Sequence, residues 1–87
     1  MSEESAIEFP CQFPIKMMGR DSEKFRTTAR SLIEAHVGAV ADEFVQTNVS
    51  GKGNFVSVTV TITATSQQQL DDIYRDVSGH DDVLMAL

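Results

Sequence analysis

The stretch of this chain with the most chemical potential is Ser50-Gly51-Lys52-Gly53-Asn54, followed by Phe55. Glycines expose backbone N–H groups, and Lys52 adds a positive charge among them, so the segment could hold an anion. The plainer reading is that the two glycines only supply the positive φ that a hairpin turn demands. Other reactive side chains are scattered. His36, His80 and Cys11 show no C-x-x-C or H-x-x-x-H spacing, so no metal site is expected. Cys11 has no nucleophile signature around it and reads as a small, partly buried residue. Asp71 and Asp72 are adjacent on an expected helix, so they point apart and cannot work as a paired acid and base. Triad and P-loop patterns are absent. These observations predict no enzymatic chemistry by this chain alone, and no cofactor.

One nucleic-acid pattern needs weighing. Lys52-Gly53-Asn54-Phe55-Val56-Ser57-Val58 is similar to the motif that places stacking aromatics on a central strand. Here Phe55 is the one aromatic, and Ser57 and Thr59 occupy the positions that should stack. The net charge of −6 also opposes phosphate binding. Neither nucleic acid nor an anionic membrane is expected as a partner.

The whole chain sets further bounds. Its 87 residues make one domain. A chain of this size buries only about 60 to 65% of its unfolded surface, so a deep cleft is hard to build without a partner subunit. The single cysteine permits no internal disulfide, which fits a reducing, cytoplasmic setting. Residues 1–8 are acidic, without a signal-peptide pattern, and read as a flexible tail before a domain over 9–87. No apolar run reaches the roughly 20 residues that span a bilayer. Residues 16–30 carry five cations against two acids, net +3, and residues 71–82 carry five acids against Arg75, net −4. The simplest account is two solvated helix faces of opposite sign lying side by side.

The elements that must position these residues follow from periodicity. Pro10 and Pro14 keep the first stretch extended, and Phe13, Ile15 and Met17 alternate as a strand that Gly19 ends. Asp21 or Ser22 can cap a helix whose stripe is Phe25, Ala29, Leu32, Ile33 and His36, with Gly38 as its stop. Phe44 to Ser50 has strand composition. After the turn, Val56, Val58, Val60, Ile62 and Ala64 alternate with Phe55, Ser57, Thr59, Thr61 and Thr63, the clearest strand in the chain. Ser66 and Gln69 suit a capping box for a helix with Leu70, Ile73, Tyr74 and Val77 on its apolar side. Val83 to Leu87 makes a short last strand.

The order is βαββαβ. Right-handed crossovers place both helices on one face. This predicts an α+β, ferredoxin-like fold: a four-stranded antiparallel sheet, order 4-1-3-2, with two helices on one face. Phe55, Ser57 and Thr59 then lie on the open face with Lys16 and Met18, joined by Leu84 and Ala86 from the last strand. A threonine row can simply solvate such a face. It can also bind a ligand, so Lys16, Ser50, Lys52, Gly53, Asn54, Phe55, Ser57 and Thr59 are the candidate interaction residues.

Several segments together resemble the YbeD family of small bacterial proteins. They are Glu8-Phe9-Pro10 with Phe13, Lys16, Met18 and Gly19; Gly51 through Ile62; and Tyr74 with the ending Val83-Leu84-Met85-Ala86-Leu87. The likeness runs from Glu8 onward, and the K-G-N-aromatic-x-S-V stretch is its most specific part. Where the family favours tyrosine after Gly-Asn, this chain has Phe55. The resemblance implies a ferredoxin-like fold similar to ACT regulatory domains, a cytosolic bacterial protein, and no assigned catalytic residues. It also implies a neighbourhood of lipoate-attachment genes, hence a regulatory role.

The leading expectation is a regulatory or interaction module that binds a small metabolite or a partner protein. The alternative is a subunit of an enzyme with its site at a subunit interface, where Lys16 and Lys52 would be the polar groups. Both are compatible with a monomer or a weak homodimer, because two edge strands lack lysine and proline.

Overall fold

A computed structural model describes residues 8–50 and 53–87. The segment 1–8 read as a tail lies outside the described residues except for Glu8, as do Gly51 and Lys52. The elements are β1 (Cys11–Arg20), α1 (Glu23–Val37), a short 3-10 turn (Asp42–Phe44), β2 (Val45–Val49), β3 (Phe55–Ala64), α2 (Gln67–Ser78) and β4 (Met85–Ala86). The sheet order is β2-β3-β1-β4, all antiparallel, which is the expected 4-1-3-2 read from the other edge.

β1 is longer than its alternation suggested, running through Gly19 to Arg20 and pairing with β3 from Cys11↔Ala64 to Arg20↔Phe55. Pro14 is tolerated inside it for a geometric reason. Lys16 exchanges backbone hydrogen bonds with Leu87, so even residues of β1 turn their backbone toward β4. Pro14 therefore aims its missing N–H past the end of β4, where no ladder bond is lost.

Both helix starts are capped as expected. Ser22 Oγ accepts from Phe25 N–H at 3.0 Å, and Ser66 Oγ accepts from Gln69 N–H at 3.1 Å. The second half of the α2 box is displaced: Gln69 Oε1 accepts from Thr65 N–H rather than from Ser66. The helices lie side by side on one face of the sheet. The cations of α1 are paired near their own helix, Arg26 with Asp21, Arg30 with Glu34 and Asp42, Lys24 with Asp82. The side-chain contact linking α1 to α2 among the described residues is the hydrogen bond between His36 Nε2 and Asp76 Oδ2, at 2.6 Å.

The core lies between sheet and helices. Ile15 and Met17 from β1, alternate residues Val56 to Ala64 from β3, Phe25, Ala29 and Ile33 from α1, and Leu70, Ile73 and Val77 from α2 are all buried. Two expectations are corrected at the edges. Phe44 belongs to the 3-10 turn rather than to β2, and Thr47 and Val49 are exposed although they share the helix-side face, because the helices cover β1, β3 and β4 instead of this edge. In β4 the phase is inverted. Leu84 is a bend, so Ala86 falls opposite buried Met17 and Met85 falls opposite Met18 on the open face. Met85 and Leu87, not Leu84 and Ala86, therefore join that face.

The face assignment of β3 has a direct check. Val60 is fully buried and Thr59 half-buried on the other side. Val60→Ala should cost about 1 to 3 kcal/mol through lost methyl burial and a residual cavity. Thr59→Ala should cost clearly less in the same urea titration, and the reverse ranking would invert the two faces.

Candidate functional site: the open sheet face

Register places the open-face side chains in rows across the sheet, because antiparallel partners share a face. One row runs Gln46, Thr59, Lys16, Leu87; the next runs Asn48, Ser57, Met18, Met85. A third holds Ser50, Phe55 and Arg20. Ser50 N–H donates to the Phe55 carbonyl at 2.8 Å, and Arg20 pairs with Phe55 across β1 and β3.

Ser57 has the smallest side chain of its row and is buried, which the simple inside–outside alternation did not foresee. Longer neighbours on both sides overshadow it. It forms the floor of a shallow depression of about 140 Å³, walled by Met18, Asn48, Ser50 and Phe55. The Arg20 guanidinium carbon sits 5.5 Å from the Phe55 ring centroid, within cation–π range. Met85 and Leu87 remain 51% and 62% exposed, so the β4 side of the face is an apolar strip.

The structure thus brings Ser50, Phe55 and Ser57 together in one depression and sets Lys16 directly beside Thr59 in the adjoining row. Gly53 and Asn54 serve the turn. Gly53 has φ 71° and donates its N–H to the Ser50 carbonyl at 2.9 Å, and the Asn54 carbonyl accepts from Asp21 N–H at 3.1 Å. Lys52 lies outside the described residues. Sequence reading missed Arg20, Asn48, Met85 and Leu87 as members of the face. The signal available for Arg20 was its even parity with Lys16 and Met18; for Met85 and Leu87 there was none, because the bend at Leu84 sets the phase.

Elsewhere, burial raises the Tyr74 pKa above its ordinary value, and its hydroxyl donates to the Leu87 carbonyl at 2.8 Å, tying α2 to the end of β4. Among the described residues no group of three or more His, Cys, Asp or Glu side chains is placed to hold a metal ion. No described helix is long and apolar enough to cross a membrane.

The topology, the two helices on one face and the exposed opposite face define a ferredoxin-like α+β domain with an uncovered sheet surface. Solved structures agree on the fold. The solution structure of protein HP0495 from H. pylori matches with a TM-score of 0.75 at 19% identity, over 99% of this chain and 90% of that one. The chain belongs to the family described as "Protein of unknown function (DUF493)", whose model matches residues 4–87. Curated relatives are small bacterial proteins of nearly the same length. A UPF0250 protein of Paraburkholderia phytofirmans is 44% identical over 84 residues, 97% of this chain and 94% of the relative. UPF0250 protein NE1487 of Nitrosomonas europaea is 39% identical over the full length of both.

Proposed function

We propose that this protein is a small regulatory or interaction module whose open sheet face binds a carboxylate-bearing metabolite with an apolar body. The observation that carries this reading is the pair of adjoining rows. They set the Lys16 ammonium and Thr59 hydroxyl beside an apolar strip of Met18, Met85 and Leu87 that leads to the Ser57 depression. A lysine offers three donors to a carboxylate, and exposed methionine and leucine receive hydrocarbon without a fixed shape requirement. Arg20, already stacked on Phe55, adds a second cation at the far side. The lipoate connection implied by the family resemblance fits that chemistry, since lipoate joins one carboxylate to an apolar tail.

Calorimetric titration and thermal shift with lipoate, and with lipoamide as its uncharged counterpart, test this. Lipoate should raise the melting temperature, as any ligand of the folded state must. Since Lys16 is exposed, Lys16→Ala should leave the unliganded melt unchanged. The same substitution should weaken lipoate binding about ten-fold or more, the worth of a charged hydrogen bond. Equal binding of lipoate and lipoamide, or no effect of Lys16→Ala, would remove the carboxylate reading. A partner protein on the same face is then the reading to pursue, through loss of a co-purifying protein on Met85→Lys.

A further inference from the structure

At the other end of β3 the sheet is short of a strand. The β2 pairing starts at Val45, opposite Val60. Odd residues of β3 turn their backbone groups toward β2, as Phe55 does in accepting from Ser50. Thr61 and Thr63 share that direction. The Thr61 carbonyl would meet Phe44 N–H in a continued ladder, but that donor turns back to the Ala41 carbonyl at 3.0 Å. Thr63 lies beyond β2 altogether, and the next outward N–H, of Thr65, is closed off by Gln69 Oε1 at 2.9 Å. Among the described residues, the Thr61 carbonyl and both backbone groups of Thr63 have no backbone partner on this side.

Beside this open edge lies a groove of about 350 Å³ lined chiefly by Val37, Val40, Ala41, Phe44, Thr61 and Thr63. Its far wall is rigidly held. Arg30 donates to Asp42 at 2.8 Å, to Glu34 at 3.3 Å and to the Val40 carbonyl, while Glu34 accepts from Val40 N–H at 2.8 Å. The Val40 hydrogen bond, helped by Arg30, holds the Glu34 carboxyl below the usual carboxylate range, so the wall keeps its charges at neutral pH. The rim is acidic. Asp42 has a side chain 94% exposed, Glu43 is exposed, and the nearby cation Arg30 is already engaged by Glu34 and Asp42.

We propose that this groove takes an extended segment of a partner protein, which adds as a strand along Thr61–Thr63, places an apolar side chain against Phe44 and Val40, and carries flanking lysine or arginine. Unpaired edge groups next to an apolar trough are the elements of strand addition: the ladder supplies affinity and the trough reads alternate side chains. The acidic rim and the net charge of −6 select a basic flank and disfavour a second copy of this chain, which carries the same acids. The groove sits at the opposite end of β3 from Ser50 and Phe55, so this inference does not rest on the metabolite reading.

The test uses the full chain and a peptide that carries fluorescein on its N-terminus, fluorescein-Lys-Lys-Val-Thr-Val-Thr-Val-Lys-amide. Binding should shift the Thr63 amide resonance, slow its hydrogen exchange, and weaken several-fold between about 50 and 300 mM salt. Ala41→Trp should weaken binding roughly ten-fold by filling the groove, and Glu43→Lys roughly three-fold by reversing rim charge. Both residues are exposed, so the thermal melts should not move. N-methylation of alternate peptide residues should abolish binding in one register and spare it in the other. Equal binding of both N-methyl registers, equal binding of a glutamate-flanked peptide, or no binding at about 1 mM would overturn the proposal. So would self-association of the chain that Ala41→Trp abolishes, since the occupant would then be a second copy.

Discussion

Gly19→Ala should lower stability by about 2 to 3 kcal/mol, a large cost for adding one methyl group. A Cβ at Gly19 would stand 2.5 Å from Phe25 Cε1 and 2.7 Å from the Asp82 carbonyl oxygen. Phe25 is buried at 2% exposure, so its ring has nowhere to swing, and the Asp82 carbonyl belongs to the backbone and cannot rotate aside. Either the ring leaves the core or the turn before β4 moves. The cost is steric crowding rather than conformational strain, because Gly19 sits in ordinary strand geometry, paired with Val56. Urea titration of Gly19→Ala, Phe25→Leu and the double variant provides the check. Leucine vacates the space that the new methyl needs, so the two costs should fall short of additive by more than about 0.5 kcal/mol. Additive costs would show that the ring is not the obstacle. The following residue is Arg20, so displacing this end of β1 should also lift the guanidinium off Phe55.

Ile15→Ala should cost about 2 to 5 kcal/mol, while Lys16→Ala, one residue along, should stay within about 0.5 kcal/mol. Ile15 is fully buried in the core, opposite Val60 at the centre of the β1–β3 ladder. Removing its side chain leaves a cavity that a two-layer domain can close only by moving a helix. Lys16 points to the open face and is exposed. A small domain is stable by only about 5 to 10 kcal/mol, so the upper end of the Ile15→Ala cost would unfold part of the population. Ile15→Val, expected to cost about 0.5 to 1.5 kcal/mol, keeps the measurement within range. Similar costs for Ile15→Ala and Lys16→Ala would mean that the open face is packed against something in solution.

Much of the fold was legible in the sequence because it is written in local periodicity. The alternation from Phe55 to Ala64 fixed a two-faced strand, since side chains of a strand point to opposite sides at every step. Asp21 or Ser22 marked the first helix start and Ser66 the second, because a short polar side chain can satisfy a free N–H two or three residues on. Order of elements and crossover handedness then settled the sheet, without reference to any particular side chain. The chemical types on the open face were legible too: Lys16, Phe55, Ser57 and Thr59 all lie on it.

What only the tertiary structure decided were phases and endings set by contacts distant in sequence. The bend at Leu84 exchanges the faces of Met85 and Ala86, and it exists because β4 must bring Leu87 opposite Lys16 after a tight turn around buried Val83. Ser57 is buried by Met18 and Asn48, residues from two other strands. Gly19 looks like a strand terminator in the sequence, yet it lies within β1 and is needed because Phe25 and the Asp82 carbonyl converge on it. Phe44 has strand composition but is drawn into a 3-10 turn whose N–H returns to Ala41, and that choice leaves the Thr61 carbonyl and the backbone groups of Thr63 without a backbone partner on that side. The sequence by itself determined which residues could form a sheet with one covered face. Where that sheet stops, and so which backbone groups stay open beside the groove, was decided by packing, because a strand ends where its partner's chain is pulled elsewhere.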